Sequence, residues 1–171
     1  MNTTHNNNLP TGVPGKEAGT PALHILLADD DEDDCFLFKY ALEGLPPPIQ
    51  LTTVRNGEAL MELLHKSKQL PYVLFLDLNM PRKNGMECLT EIKNDATLRQ
   101  LPVIIFSTSL SPEVVALIYA KGAHYYIRKP PDVAQLRKLI YQALTLLAQS
   151  GSDQPSMEKF ALSEILYHES K

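Results

Sequence analysis

Four groups of polar residues stand directly after apolar runs, and their types suit phosphoryl chemistry. Asp29, Asp30 and Asp31 follow the run 23–28, with Glu32, Asp33 and Asp34 behind them. Asp77 ends the run 72–76 and leads into Leu78, Asn79, Met80 and Pro81. Ser107, Thr108 and Ser109 follow 103–106, and Lys129 and Pro130 follow 125–128. Carboxylates crowded together repel, and each raises the pKa of the others. A hard cation relieves that repulsion; oxygen ligands suit Mg²⁺ or Ca²⁺, and Mg²⁺ readily shares phosphate oxygens. A cation, an ammonium and a hydroxyl donor together are what a transferring phosphoryl group requires. In that company Asp77 is a carboxylate nucleophile able to form an aspartyl phosphate.

Taken singly, these groups have plainer readings. An acidic run such as 29–34 is often a solvated loop, or a helix N-terminus where carboxylates complement the dipole. Asp33 or Asp34 suits the cap of the helix that follows. Asp77 carries more weight, because a charge ending a buried run is costly unless it is partnered. Ser107 and Lys129 gain meaning from sharing the same position after a strand. Cys35 and Cys88 have no neighbours at metal-ligand spacing and read as small apolar helix residues, and His5 stands alone beside an Asn run.

A sheet must position these groups. Apolar runs at 23–28, 49–54, 72–76, 103–106 and 125–128 read as buried strands. Between them, helical periodicity covers 33–45, 57–68, 87–94, 112–121 (Ser111 capping, Pro112 first) and 133–149. Five strand-helix units with strands apolar on both faces predict a doubly wound α/β fold, a five-stranded parallel sheet with helices on each side. In such sheets ligands bind at the carboxyl ends of the strands, where Asp29, Asp77, Ser107 and Lys129 fall.

The 171 residues suffice for one domain with tails. Residues 1–21, rich in Asn, Thr, Gly and Pro, predict a disordered N-terminal tail. Residues 22–149 form the domain. Residues 150–171 form a linker followed by a short amphipathic helix over 157–167, which either docks on its own domain or on a partner, or frays. A net charge of −4 supplies no basic field for nucleic acid. No signal peptide or apolar membrane span is legible, so the expected location is the cytoplasm, with no membrane contact. Two rivals fare worse. A phosphatase of the haloacid-dehalogenase type needs an acid two positions after its nucleophile, where Asn79 stands. A flavin binder needs a phosphate cradle after the first strand, which is absent.

Four blocks in order resemble the receiver domain of two-component response regulators (CheY-like). They are Ile25-Leu26-Leu27-Ala28-Asp29-Asp30-Asp31, then 74–85 from Leu74-Phe75-Leu76-Asp77 to Asn84-Gly85, then Ile105-Phe106-Ser107-Thr108-Ser109, and Tyr125-Tyr126-Ile127-Arg128-Lys129-Pro130. The resemblance spans 23–148 and is nearest in style to small single-domain regulators paired with phytochrome-like or hybrid kinases. It implies strand order 2-1-3-4-5 and a set of roles. Asp77 is the phosphoacceptor. Asp29 and Asp30 are the acidic pair for Mg²⁺, Asp30 binding directly and Asp29 largely through water, with Asp30–Asp31 as the alternative pair. The Asn79 backbone carbonyl completes the metal shell. Ser107 is the switch hydroxyl, Lys129 the phosphoryl-pairing lysine, Tyr126 the switch aromatic, and Gly85 the glycine that lets the loop turn. Lys129–Pro130 is expected cis, and Asn79 and Ser109 tune the lifetime of the phosphorylated form. The partner is a histidine kinase or phosphotransfer protein. Apart from the resemblance, a homodimer is a further expectation, with the exposed aromatics Tyr125 and Tyr126, helix four and the 157–167 segment as candidate surfaces. The chain is expected to catalyse only its own phosphorylation and dephosphorylation; a degenerate receiver that merely docks is the alternative.

Overall fold

The structure is a computed structural model describing residues 21–163. The tail expected over 1–21 lies outside them apart from Pro21, as do residues 164–171. β1 (Leu23–Ala28), β2 (Ile49–Val54), β3 (Val73–Leu76), β4 (Val103–Ser107) and β5 (Tyr125–Arg128) alternate with five helices. These are α1 (Glu32–Leu42), α2 (Gly57–Lys66), α3 (Gly85–Asn94), α4 (Pro112–Ala120) and α5 (Val133–Ser150). The strands pair in parallel in the order β2-β1-β3-β4-β5, as anticipated.

Alternation along the strands divides the apolar runs between two cores. Leu26, Ala28, Leu74, Leu76, Val103 and Ile105 pack with Leu60, Leu64, Leu89 and Ile92 of α2 and α3. Ile25, Leu27, Val73, Phe75, Ile104 and Phe106 pack with Phe38, Leu139 and Ile140 of α1 and α5. Phe38 stands edge-on to Phe75 and Phe106, with centroids 4.9 and 5.5 Å away, a geometry that the ring quadrupoles favour.

Capping accounts for most of the helix starts. Asn56, Asn84, Ser111 and Asp132 each accept a backbone N–H from the first turn of α2, α3, α4 and α5. At α1 the cap is Asp31, which accepts from Asp33 N and Asp34 N at 2.9 and 3.0 Å. Neither Asp33 nor Asp34 is the cap, because the helix begins one residue earlier than its periodicity suggested and their own N–H groups are the ones left free. α3 likewise starts two residues early, drawn back by a capping box in which Asn84 and Glu87 exchange bonds.

The sheet has a sixth strand that periodicity did not anticipate. A single helical turn, α6 (Met157–Phe160), leads into β6 (Ala161–Leu162), which pairs in parallel with β5. The helix expected over 157–167 thus gives way to strand after one turn, its residues beyond 163 lying outside the described part. Three isolated turns are marginal in water, whereas the edge of β5 offers a row of unpaired backbone groups. Phe160 and Leu162 are buried, and full burial of a phenylalanine contributes about 1.5–3 kcal/mol. Of the readings left open, docking on the chain's own domain is therefore the one observed. Tyr125 and Tyr126, expected as exposed aromatics, are 3% and 7% exposed, because β5 is not an edge. Among the described residues, no helix is long and apolar enough to cross a membrane.

His124 ties this segment to the sheet. Its Nδ1 accepts from Val103 N at 3.2 Å and its Nε2 lies 2.9 Å from the Ser152 carbonyl. Accepting at Nδ1 places the proton of the neutral ring on Nε2, which donates to Ser152. Burial holds the imidazole pKa below its ordinary value, with Lys93 adding to the effect; the Ser152 carbonyl and Asp153 oppose it. The unfolded chain therefore takes up the proton first as pH falls. This contribution to stability is present above about pH 6.5 and is lost as pH falls toward the folded pKa. Urea unfolding at stepped pH should show a shallower acid-side loss in His124→Asn, whose amide oxygen still accepts from Val103, than in wild type. Equal slopes would remove His124 as the cause.

Candidate functional site

The ladder continues past the strand ends and so fixes the site residues in register. Asp29 N donates to Val54 O at 3.0 Å, Asp77 N to Ala28 O at 2.9 Å and Lys129 N to Ser107 O at 2.8 Å. This brings Asp29, Asp77, Ser107 and Lys129 together at one end of the sheet, as their sequence positions implied. Asp29, Asp77 and Ser107 are buried, and Asp30 is exposed at the mouth.

Asp77 is held at both carboxylate oxygens. Its Oδ1 accepts from Ser107 Oγ at 3.1 Å and from Asn79 N at 3.3 Å. Its Oδ2 lies 3.3 Å from Lys129 Nζ. The ammonium also lies 2.9 Å from Asp29 Oδ2 and 2.7 Å from Asp34 Oδ2, and 5.4 Å from the centre of the Phe106 ring. Burial alone would lower the Lys129 pKa, but hydrogen bonds to Asp29 and Asp34 and the surrounding carboxylates hold it above its ordinary value. Burial pushes the Asp29 carboxyl up to about 6, against hydrogen bonds from Lys129 and Asp31 N that favour its ionised form.

One carboxylate oxygen each from Asp29, Asp30 and Asp77 lies within 4.8 Å of the others. Asp29 Oδ2 is buried, and its close partner is the Lys129 ammonium at 2.9 Å. Three carboxylates served largely by one shared ammonium, with oxygen-only donors, fit a hard divalent cation. Asp31 is occupied as the α1 cap, bonded to Asp33 N and Asp34 N, and lies outside this group.

Three details depart from the sequence reading. Lys129–Pro130 is trans; among the described residues the cis bond is Pro46–Pro47. Lys129 is directed inward instead by its ladder bond to Ser107 and by three carboxylates. Gly85, expected to let the loop turn, is set by a close approach of backbone. A Cβ there would sit 2.1 Å from the Asp77 carbonyl oxygen and 2.7 Å from Leu78 Cα, so the glycine lets α3 start against the backbone of the site. Gly85→Ala should cost about 1–3 kcal/mol in urea unfolding; an unchanged midpoint would contradict this close approach. Asp34 was taken only as a possible cap, yet it makes the shortest contact to Lys129. Its place in the first turn of a helix that starts over the strand ends was the available signal.

Ser107, the last residue of β4, and Tyr126, in β5, both reach the loop that follows β4. Thr108 is exposed, and its carbonyl accepts the Tyr126 hydroxyl at 2.9 Å. Both side chains therefore point inward, Ser107 to Asp77 and Tyr126 into the core.

A search for relatives matches this arrangement. The family model described as "Response regulator receiver domain" matches residues 25–141. This chain belongs to the response regulator receiver family. Response regulator Rcp1 of Synechocystis sp. is 30% identical over 129 residues, covering 72% of this chain and 88% of the relative. The probable methanogenesis regulatory protein FilR2 of Methanothrix harundinacea is 30% identical over 128 residues, covering 72% and 82%. Among solved receivers, the phosphorylated cyanobacterial phytochrome response regulator RcpA superposes with TM-score 0.68 at 32% identity, covering 80% of this chain and all of that one. The Mn²⁺-bound form of Rcp1 does so with TM-score 0.65 at 28% identity, covering 78% and 99%.

Proposed function

We propose that this receiver accepts a phosphoryl group on Asp77 from a phosphohistidine of a histidine kinase or phosphotransfer protein, and signals through protein contacts. The observation that carries the reading is the buried Asp77 carboxylate with Ser107 at one oxygen and Lys129 at the other. A carboxylate oxygen of Asp77 attacks phosphorus, the phosphorus–nitrogen bond of the donor breaks, and its electron pair returns to the imidazole. Lys129 offsets charge on the incoming phosphoryl oxygens, and Ser107 turns its hydroxyl from the carboxylate to one of them. Asp29, Asp30, Asp77 and the Asn79 carbonyl would hold Mg²⁺, which when bound neutralises phosphoryl charge. The clustered oxygens of Asp29, Asp30 and Asp77 support this, as does the Mn²⁺ in Rcp1. A phytochrome-type kinase in the cytoplasm is the donor suggested by the RcpA likeness.

Acetyl phosphate with Mg²⁺ should add one phosphoryl group to the intact protein, and hydroxylamine should remove it, as for a mixed anhydride. No mass increment, or one resistant to hydroxylamine, overturns the proposal.

A further inference from the structure

Asp77 and the C-terminal segment are joined by a short series of contacts. Ser107 donates to Asp77, and the carbonyl of the next residue accepts the Tyr126 hydroxyl. Tyr126 pairs with Ala161 across β5 and β6. Phe160, fully buried, belongs to the same core as Tyr126 and Ile118 and meets the Tyr119 ring edge-on at 5.2 Å.

Polar bonds fasten the chain that leads there. The Tyr119 hydroxyl donates to Pro155 O at 2.9 Å. Gln154 Nε2 donates to the carbonyls of Tyr119 and Ala123, each at 2.7 Å. Tyr119 lies in the last turn of α4, where its carbonyl also accepts from Gly122 N at 3.0 Å, so Gln154 adds a second bond there. The segment therefore completes both the end of α4 and the edge of β5. α6 touches both elements and places Phe160 in the core that holds Tyr126.

We propose that residues 152–162 form a latch in cis: docked on α4 and β5, they hold Tyr126 inward and thereby favour occupancy of Asp77 by a phosphoryl group. The latch rests on the reading of Asp77 as phosphoacceptor. With Tyr126 inward, its hydroxyl keeps the Thr108 carbonyl in place and Ser107 stays poised at the site. Linkage makes the effect reciprocal, so occupancy of Asp77 tightens docking of the segment by the same factor.

The test uses the full chain, Mg²⁺ and beryllofluoride as phosphoryl mimic, with binding read by calorimetry and docking by amide exchange at Ala161 and Leu162. In wild type, beryllofluoride slows exchange at both amides. Phe160→Ala speeds that exchange and weakens beryllofluoride binding about fivefold or more, the lower end of typical coupling. The double variant Tyr119→Phe/Gln154→Ala, which opens no large cavity, moves both readings the same way and decides the matter if Phe160→Ala does not fold. Faster exchange with wild-type beryllofluoride affinity overturns the latch alone. Unchanged exchange in the variants also overturns it, since the named contacts would then not hold the segment. Wild-type binding that is absent, or that survives Asp77→Asn, overturns the phosphoacceptor reading and the latch with it.

Discussion

Replacing Asp77 with Asn takes labelling by acetyl phosphate to background and leaves the protein folded. The amide has the shape of the carboxylate, and its oxygen still accepts from Ser107 and from Asn79 N, the two bonds made by Asp77 Oδ1. What it lacks is the anionic oxygen that attacks phosphorus. The neighbouring acids do not substitute. Asp29 Oδ1 is engaged by Asp31 N, and its other oxygen faces the ammonium of Lys129. Asp30 is exposed and has no comparable clamp from a hydroxyl and a lysine. Neutralising Asp77 also removes one of three crowded carboxylates, which lowers their repulsion, so a folding defect is not expected to account for lost labelling. Intact mass after acetyl phosphate, beside urea unfolding of the same sample, checks both halves. Labelling at the wild-type level would remove Asp77 from the mechanism.

The sheet and most of the site were legible because burial writes itself into sequence. Strands covered on both faces must be apolar throughout, so Leu74-Phe75-Leu76 marks a strand and the charge that ends it marks a site. The register also followed, since Asp29, Asp77 and Lys129 each continue a ladder by one residue. What escaped depends on contacts between distant segments. The role of Asp34 needed the angle at which α1 crosses the strand ends. The space behind Gly85 needed the approach of α3 to the Asp77 carbonyl. β6 escaped because two residues of strand have no periodicity of their own; Ala161 and Leu162 are extended only because the edge of β5 is there to pair with. The same pairing buried Tyr125 and Tyr126, which by sequence alone stood on an edge strand.

Those carboxylates make Lys129 the residue whose loss should cost most in the absence of a divalent cation. Its ammonium lies within 3.3 Å of Asp29, Asp34 and Asp77, and its side chain is 11% exposed. Lys129→Met keeps an apolar stem near Phe106 but leaves Asp29, which is fully buried, without a counter-charge. Breaking a buried pair from one side costs about 3–5 kcal/mol, and urea unfolding near neutral pH should show a loss of that order. The pH dependence has a definite sign. The Asp29 carboxyl already sits at about 6 because of its burial, and removing the lysine raises it further. A folded pKa above the unfolded value gives stability at low pH that is lost as pH rises through the folded value. The deficit of Lys129→Met relative to wild type should therefore shrink as pH falls from the variant's higher Asp29 pKa toward about 6, because Asp29 takes up its proton earlier in the variant, and should level off below that. Mg²⁺ should also shrink it at neutral pH, by supplying the missing charge among Asp29, Asp30 and Asp77. Slow labelling by acetyl phosphate should persist, because the nucleophile is intact. The protection that beryllofluoride is expected to give Ala161 and Leu162 should be lost, because in the proposed mechanism Lys129 is one of the two groups that would pair with the phosphoryl oxygens. A variant as stable as wild type at neutral pH without Mg²⁺ would show that the lysine is not what neutralises the buried aspartate.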